Sequence, residues 1–99
     1  MAAKLVLASE VGLDVSEAFA WYEARRAGLG EEFLSSLDAA IARICRQPLS
    51  YSMVHESYRR ALLRRFPDAI LFESEGLTIT IYGVFHTSRE PGKWRQRLP

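Results

Sequence analysis

Residues 28–48 read GLGEEFLSSLDAAIARICRQP, and this stretch decides the fold. Phe33, Leu37, Ala40, Ile41 and Ile44 recur at helical spacing and mark one apolar face. Glu31 and Glu32 stand in the first turn and Arg43 and Arg46 near the end, the placement a helix dipole favours. Pro48 forbids continuation. Upstream, Asp14 reads as an N-cap with Glu17 three residues on, as in a capping box. Val15, Ala18, Phe19 and Tyr22 follow at helical spacing, and Trp21 widens the stripe. Gly28 tolerates the left-handed geometry that ends a helix, and Gly28-Leu29-Gly30 is a tight connection. The stretch therefore predicts two helices that return antiparallel.

Outward from the hairpin the period changes from helical to alternating. Residues 3–8, AKLVLA, read as a short opening strand, closed by Gly12-Leu13. Residues 48–57 read as a loop. Residues 58–66, YRRALLRRF, read as a strand, Pro67-Asp68 as a turn or bulge, and residues 69–74, AILFES, as the next strand. Glu75-Gly76 is a tight turn into residues 77–85, LTITIYGVF, the strongest strand. Strict alternation there puts Leu77, Ile79 and Ile81 on one face, and Thr78, Thr80, Tyr82 and His86 on the other. The expected fold is α+β: an N-terminal strand, an antiparallel helical hairpin, then a three-stranded antiparallel meander. The helices pack on one sheet face because both apolar surfaces need burial. The other face stays partly open.

Ninety-nine residues fit a single domain, residues 1–99. Cys45 has no internal disulfide partner, lies beside Ile41 and Ile44, and reads as a structural thiol of a reducing, cytoplasmic protein. The opening apolar run is too short for a signal peptide, no run is long enough to span a membrane, and no metal site or cofactor motif is present. The net charge of +1 excludes a polyanion binder of the whole-molecule kind. The halves differ, however: residues 1–48 carry 5 basic and 7 acidic side chains, residues 49–99 carry 8 and 5.

The basic half contains the side chains able to carry chemistry. Alternation along Arg59-Arg60-Ala61-Leu62-Leu63-Arg64-Arg65 puts Arg59 and Arg65 on one face and Arg60 and Arg64 on the other. Each face also receives a leucine, so both choices of exposed pair stay open. His86 ends the last strand, and in the tail Arg89, Lys93, Arg95 and Arg97 bracket Trp94. In one groove, a histidine, arginines and an aromatic suit RNA cleavage. The imidazole moves the proton of the 2′-hydroxyl, guanidiniums stabilise the charged phosphorus centre, and the aromatic stacks on an unpaired base. The competing reading is structural: His86 caps the strand edge and Trp94 pins the tail to the domain.

These pieces together resemble the RelE/ParE superfamily of toxins, and ParE most. The resemblance rests on Trp21-Tyr22-Glu23, Gly28-Leu29-Gly30-Glu31-Glu32-Phe33-Leu34, Pro48 followed by Tyr51, residues 58–67 (YRRALLRRFP) and residues 84–94 (VFHTSREPGKW). It covers nearly the whole chain in order. Members are typically described as plasmid-stabilisation or addiction-module toxins. The resemblance implies the toxin of a type II toxin–antitoxin module, held inactive in a hetero-oligomer by a cognate antitoxin. Such an antitoxin wraps its toxin as a helix or added strand. Leu62, Leu63 and Phe72 cannot all share one sheet face, and an antitoxin segment over the hairpin and sheet edge, acidic opposite the arginines, is the expected cover.

Within the superfamily, RelE-like members cut mRNA on the ribosome, whereas ParE-like members poison DNA gyrase. Cleavers usually carry an arginine where this chain has Ala69 and an acid or base near the place of Trp94, and Asp68 replaces the aromatic more usual after Phe66-Pro67. The resemblance therefore implies a gyrase inhibitor, with Arg59, Arg64, Arg65, Trp94 and Arg95 contacting the target or its phosphates. If the chain is instead a ribosome-dependent nuclease, His86, Arg60 and Arg89 are its catalytic set. A third reading is a binding module of this fold that is no longer toxic.

Overall fold

A computed structural model describes residues 3–98. Its elements are β1 (Lys4–Leu7), α1 (Val11–Glu23), α2 (Leu29–Arg46), a 3-10 turn (Pro48–Ser50), β2 (Met53–His55), β3 (Tyr58–Leu62), β4 (Asp68–Glu75), β5 (Thr78–His86) and a 3-10 turn (Lys93–Arg97). The strands form one five-stranded sheet in the order β1-β5-β4-β3-β2. β1 runs parallel to β5, and every other pairing is antiparallel. The α+β class, the helical hairpin on one sheet face and the meander are as the sequence predicts.

Four expectations are corrected. The segment read as a loop contains β2, which pairs with β3 through Met53 and His55. Met53 and Val54 are its only apolar side chains, too few for a period to show. The strand expected to reach Phe66 ends at Leu62, because Arg64 and Arg65 turn and Arg65 takes a left-handed φ of 70°. Asp68 opens β4 rather than turning. Asp14 is not the N-cap of α1. The helix begins at Val11, Glu10 precedes it without a side-chain cap, and Asp14 is buried in the first turn.

The hairpin is closed by an exchange the sequence does not announce. The Glu23 carboxylate, at the end of α1, accepts from the amides of Gly28 and Gly30, 2.9 Å each, and so caps α2. These bonds hold the Glu23 carboxyl below its usual range. Gly28 stands at φ 89°, where a side chain is strained. The main core lies between hairpin and sheet. Phe33, Leu37, Ala40 and Ile44 of α2 and Ala18 and Tyr22 of α1 meet Ala61, Ile70, Phe72, Ile79, Ile81 and Val84, with Leu63 and Phe66 from the β3–β4 turn. A smaller cluster of Tyr58, Leu71 and Phe85 occupies the opposite sheet face, where Trp94 and Leu98 of the tail cover it.

Candidate functional site

β5 sets the geometry of everything chemical in this chain, through one irregularity. Leu71 pairs with Gly83 but Phe72 pairs with Ile81, so Tyr82 is an extra residue, a β-bulge. Before the bulge, Ile79 and Ile81 face the helices; after it, Val84 does so and Phe85 faces the other way. A one-residue slip exchanges faces for all that follows. His86, expected beside Thr78, Thr80 and Tyr82 on the open face, is therefore turned under α1. Its ring lies 5.7 Å from that of Trp21. Gly83 makes the slip possible. The Phe85 ring folds back across it, and a Cβ there would stand 2.1 Å from the ring.

The slip leaves two sites on opposite faces of the sheet. The first is a polar cleft beneath α1, lined by Trp21, Asp68, His86 and Arg89 among others. His86 is buried, and its Nδ1 accepts from the amides of Ser88 (3.2 Å) and Arg89 (2.9 Å). Because Nδ1 accepts, a neutral ring carries its proton on Nε2. The imidazole thus organises the turn that starts the tail. Arg89 returns over Trp21, its guanidinium carbon 4.0 Å from the ring centroid, and Arg25 lies on the same indole at 3.2 Å. At the cleft floor the Tyr22 hydroxyl donates to Asp68, which is 1 % exposed. Burial pushes the Asp68 carboxyl up, against the downward pull of Tyr22, His86 and Arg89.

The second site is the open face, where a groove is lined by Arg60, Ala69, Leu71, Phe85, Glu90 and Trp94 together with neighbouring residues. Arg60 is exposed on its wall, and Leu62, on the same face of β3, is 55 % exposed. Arg95 lies 5.2 Å from the Trp94 ring. The tail returns across this face, as the Pro91-Gly92 turn and Trp94 lead one to expect. It is fastened by a pair that no local sequence pattern signals: both terminal guanidinium nitrogens of Arg97 donate to Asp14, at 2.8 and 2.6 Å. Asp14 also accepts from the amide of Val84, just past the bulge, at 3.1 Å.

The sequence-derived residues are therefore distributed rather than gathered. His86 and Arg89 share the cleft under α1. Arg60, Trp94 and Arg95 belong to the open face. Arg59 points to the helix side, where it donates to the Tyr51 carbonyl at 2.6 Å. Arg64 and Arg65 lie at a third place, beside α2. The catalytic set conceived for a nuclease has the sheet between His86 and Arg60. Sequence reasoning missed Asp14, Arg97, Tyr22, Asp68 and the Trp21 stack as working parts. Gly83 between two large residues was the available hint of a bulge. Among the described residues no group of His, Cys, Asp and Glu is placed to hold a metal ion, and no helix is long and apolar enough to cross a membrane.

No family model matches the chain, and no curated protein matches it. Among solved structures it is similar to one described as the chromosomal ParDE TA system from P. aeruginosa. The TM-score is 0.74 at 12% sequence identity, over 85% of this chain and 95% of that chain. At that identity the likeness establishes a shared fold: a helical hairpin on an antiparallel meander with an added N-terminal strand.

Proposed function

We propose that this chain is the toxin of a type II toxin–antitoxin module, cytoplasmic and neutralised by a cognate antitoxin, and that it acts as a ParE-like inhibitor of DNA gyrase. The fold shared with a toxin–antitoxin structure supports the module. One observation carries the choice of target: His86 faces α1 with Nδ1 occupied by two amides, while Arg60 faces the opposite side of the sheet. Proton transfer and charge stabilisation at one phosphate need both within hydrogen-bond reach of one substrate. A protein inhibitor needs only a complementary surface, and the open face offers one. Leu62 and the apolar groove supply area, while Arg60, Trp94 and Arg95 are the residue types that anchor interfaces. The antitoxin covers the same kind of surface with an acidic segment.

Induction of the chain in bacteria, with and without the neighbouring short reading frame, tests this. The expected outcome is DNA breaks, a damage response and filamentous cells, relieved by co-expression, together with loss of supercoiling by purified gyrase. Codon-positioned cuts in mRNA, abolished by His86→Gln, would instead establish the ribosome-dependent nuclease. Growth unaffected by induction would leave a non-toxic binding module.

A further inference from the structure

Beside α2, away from both the cleft and the groove, a third depression of about 300 Å³ is lined by Glu32, Ser35, Ser36, Ala39, Arg43, Arg64 and Arg65. Three arginines, two serines and one glutamate line it, with no apolar residue larger than alanine. Glu32 is shared by Arg65 and Arg26, at 3.0 Å each. Among the described residues Arg43 and Arg64 have no ion-pair partner. The turn presenting Arg64 and Arg65 is held firmly. The Ser36 hydroxyl donates to the Arg64 carbonyl at 2.7 Å, Leu63 donates its amide to Asp68, and Phe66 is buried in the core.

Arg65 occupies this turn at φ 70°, a conformation in which a side chain other than glycine is disfavoured. A local rule broken in a rigid turn directs attention to what the side chain does there. Arg65 lines the depression together with Arg43 and Arg64. An acidic peptide segment would find almost no apolar area to bury. A phosphodiester chain needs none, since guanidinium forks and hydroxyls are its ordinary partners.

We propose that the depression between α2 and the β3–β4 turn, lined by Arg43, Arg64 and Arg65 with Ser35, binds a nucleic-acid phosphate backbone. The inference goes beyond the reading above and stands without gyrase.

Anisotropy of a labelled 20-base-pair DNA duplex and of an RNA strand of equal length, titrated with the full chain at several salt concentrations, tests it. The two probes distinguish the source of the phosphates, and binding of either one through these arginines supports the site. Arg43→Gln/Arg64→Gln should weaken binding roughly tenfold and reduce the log–log salt slope by about two, one for each lost phosphate contact. Lys4→Gln, on β1, should bind like the parent. Arg65→Gly separates charge from fold: it relieves the left-handed φ, so melting should stay level or rise while affinity falls several-fold. The proposal is overturned if neither probe binds, if the double variant keeps the parent affinity and slope, or if a polyglutamate peptide binds as tightly as the nucleic acid.

Discussion

Arg97 grips Asp14 with both arms of its guanidinium, joining the tail to the first turn of α1 across the edge of β5. The side chains are 14% and 3% exposed, so water screens this pair little. Asp14 also holds the Val84 amide, so one carboxylate ties together helix, bulge and tail.

Arg97→Ala leaves that buried carboxylate with one partner fewer. The expected cost is about 2–4 kcal/mol in urea unfolding. The tail should loosen at the same time, with faster amide exchange at residues 93–97. A loss below about 0.5 kcal/mol would mean the pair behaves as a surface ion pair.

The bulge makes a second prediction. Gly83→Ala must displace the Phe85 ring, which is buried against the open face, and should cost about 2–3 kcal/mol. Phe85→Leu costs something on its own, but in the double variant the two losses should not add. Strict additivity in the double-mutant cycle would refute the clash.

For Asp68 the sign follows from burial. Its folded value lies above the ordinary 3.8, so its contribution to stability is present below that value and is lost as pH rises through the folded one. Asp68→Asn keeps an acceptor for Tyr22 and cannot ionise. Its stability relative to the parent should therefore improve as pH rises from the ordinary value of 3.8 towards neutrality. A constant difference across that range would show that the carboxyl titrates as an exposed one does.

At alkaline pH buried phenols work in the same direction. Burial, reinforced by the bond to Glu73, pushes the Tyr82 hydroxyl up to about 12, and burial with the bond to Asp68 raises Tyr22 further. Both contributions are present below the ordinary value of 10.0 and are lost as pH rises through the folded values. Burial beside Glu73 raises Tyr58 as well, so ultraviolet titration should show three of the four tyrosines ionising late, and Tyr82→Phe should remove one of the late steps. Four phenols titrating together near 10 would contradict this environment.

How legible was all this in the sequence? The hairpin was, because five apolar residues from Phe33 to Ile44 at one period and a terminal proline leave few alternatives. The meander was too, since Gly76 and alternation bracket β4 and β5. β2 was not, because pairing with β3 rather than its own three residues makes it a strand. The site was legible only as a set of residue types. Alternation extrapolated through Tyr82 assigns His86 to the wrong face, and a bulge gives little local signal beyond one glycine. Asp14 looked like a cap because caps are decided by neighbours in sequence, whereas its partners Val84 and Arg97 are neighbours only in space.

The parallel pairing of β1 with β5 has a kinetic consequence. Lys4 lies opposite Thr78 and Leu7 opposite Ile81, so the first strand made has the last strand as its sole partner. The entropy of closing so long a loop falls due before any of its hydrogen bonds form. The hairpin, with its local contacts, can assemble early and β5 can add to β4 through a tight turn. β1 then docks as a late step, onto an edge already built. Leu5, Val6 and Leu7 remain 37–54% exposed even after docking, so little burial holds that strand closed. The first opening of the native protein should therefore be the release of β1, leaving one flank of β5 briefly bare.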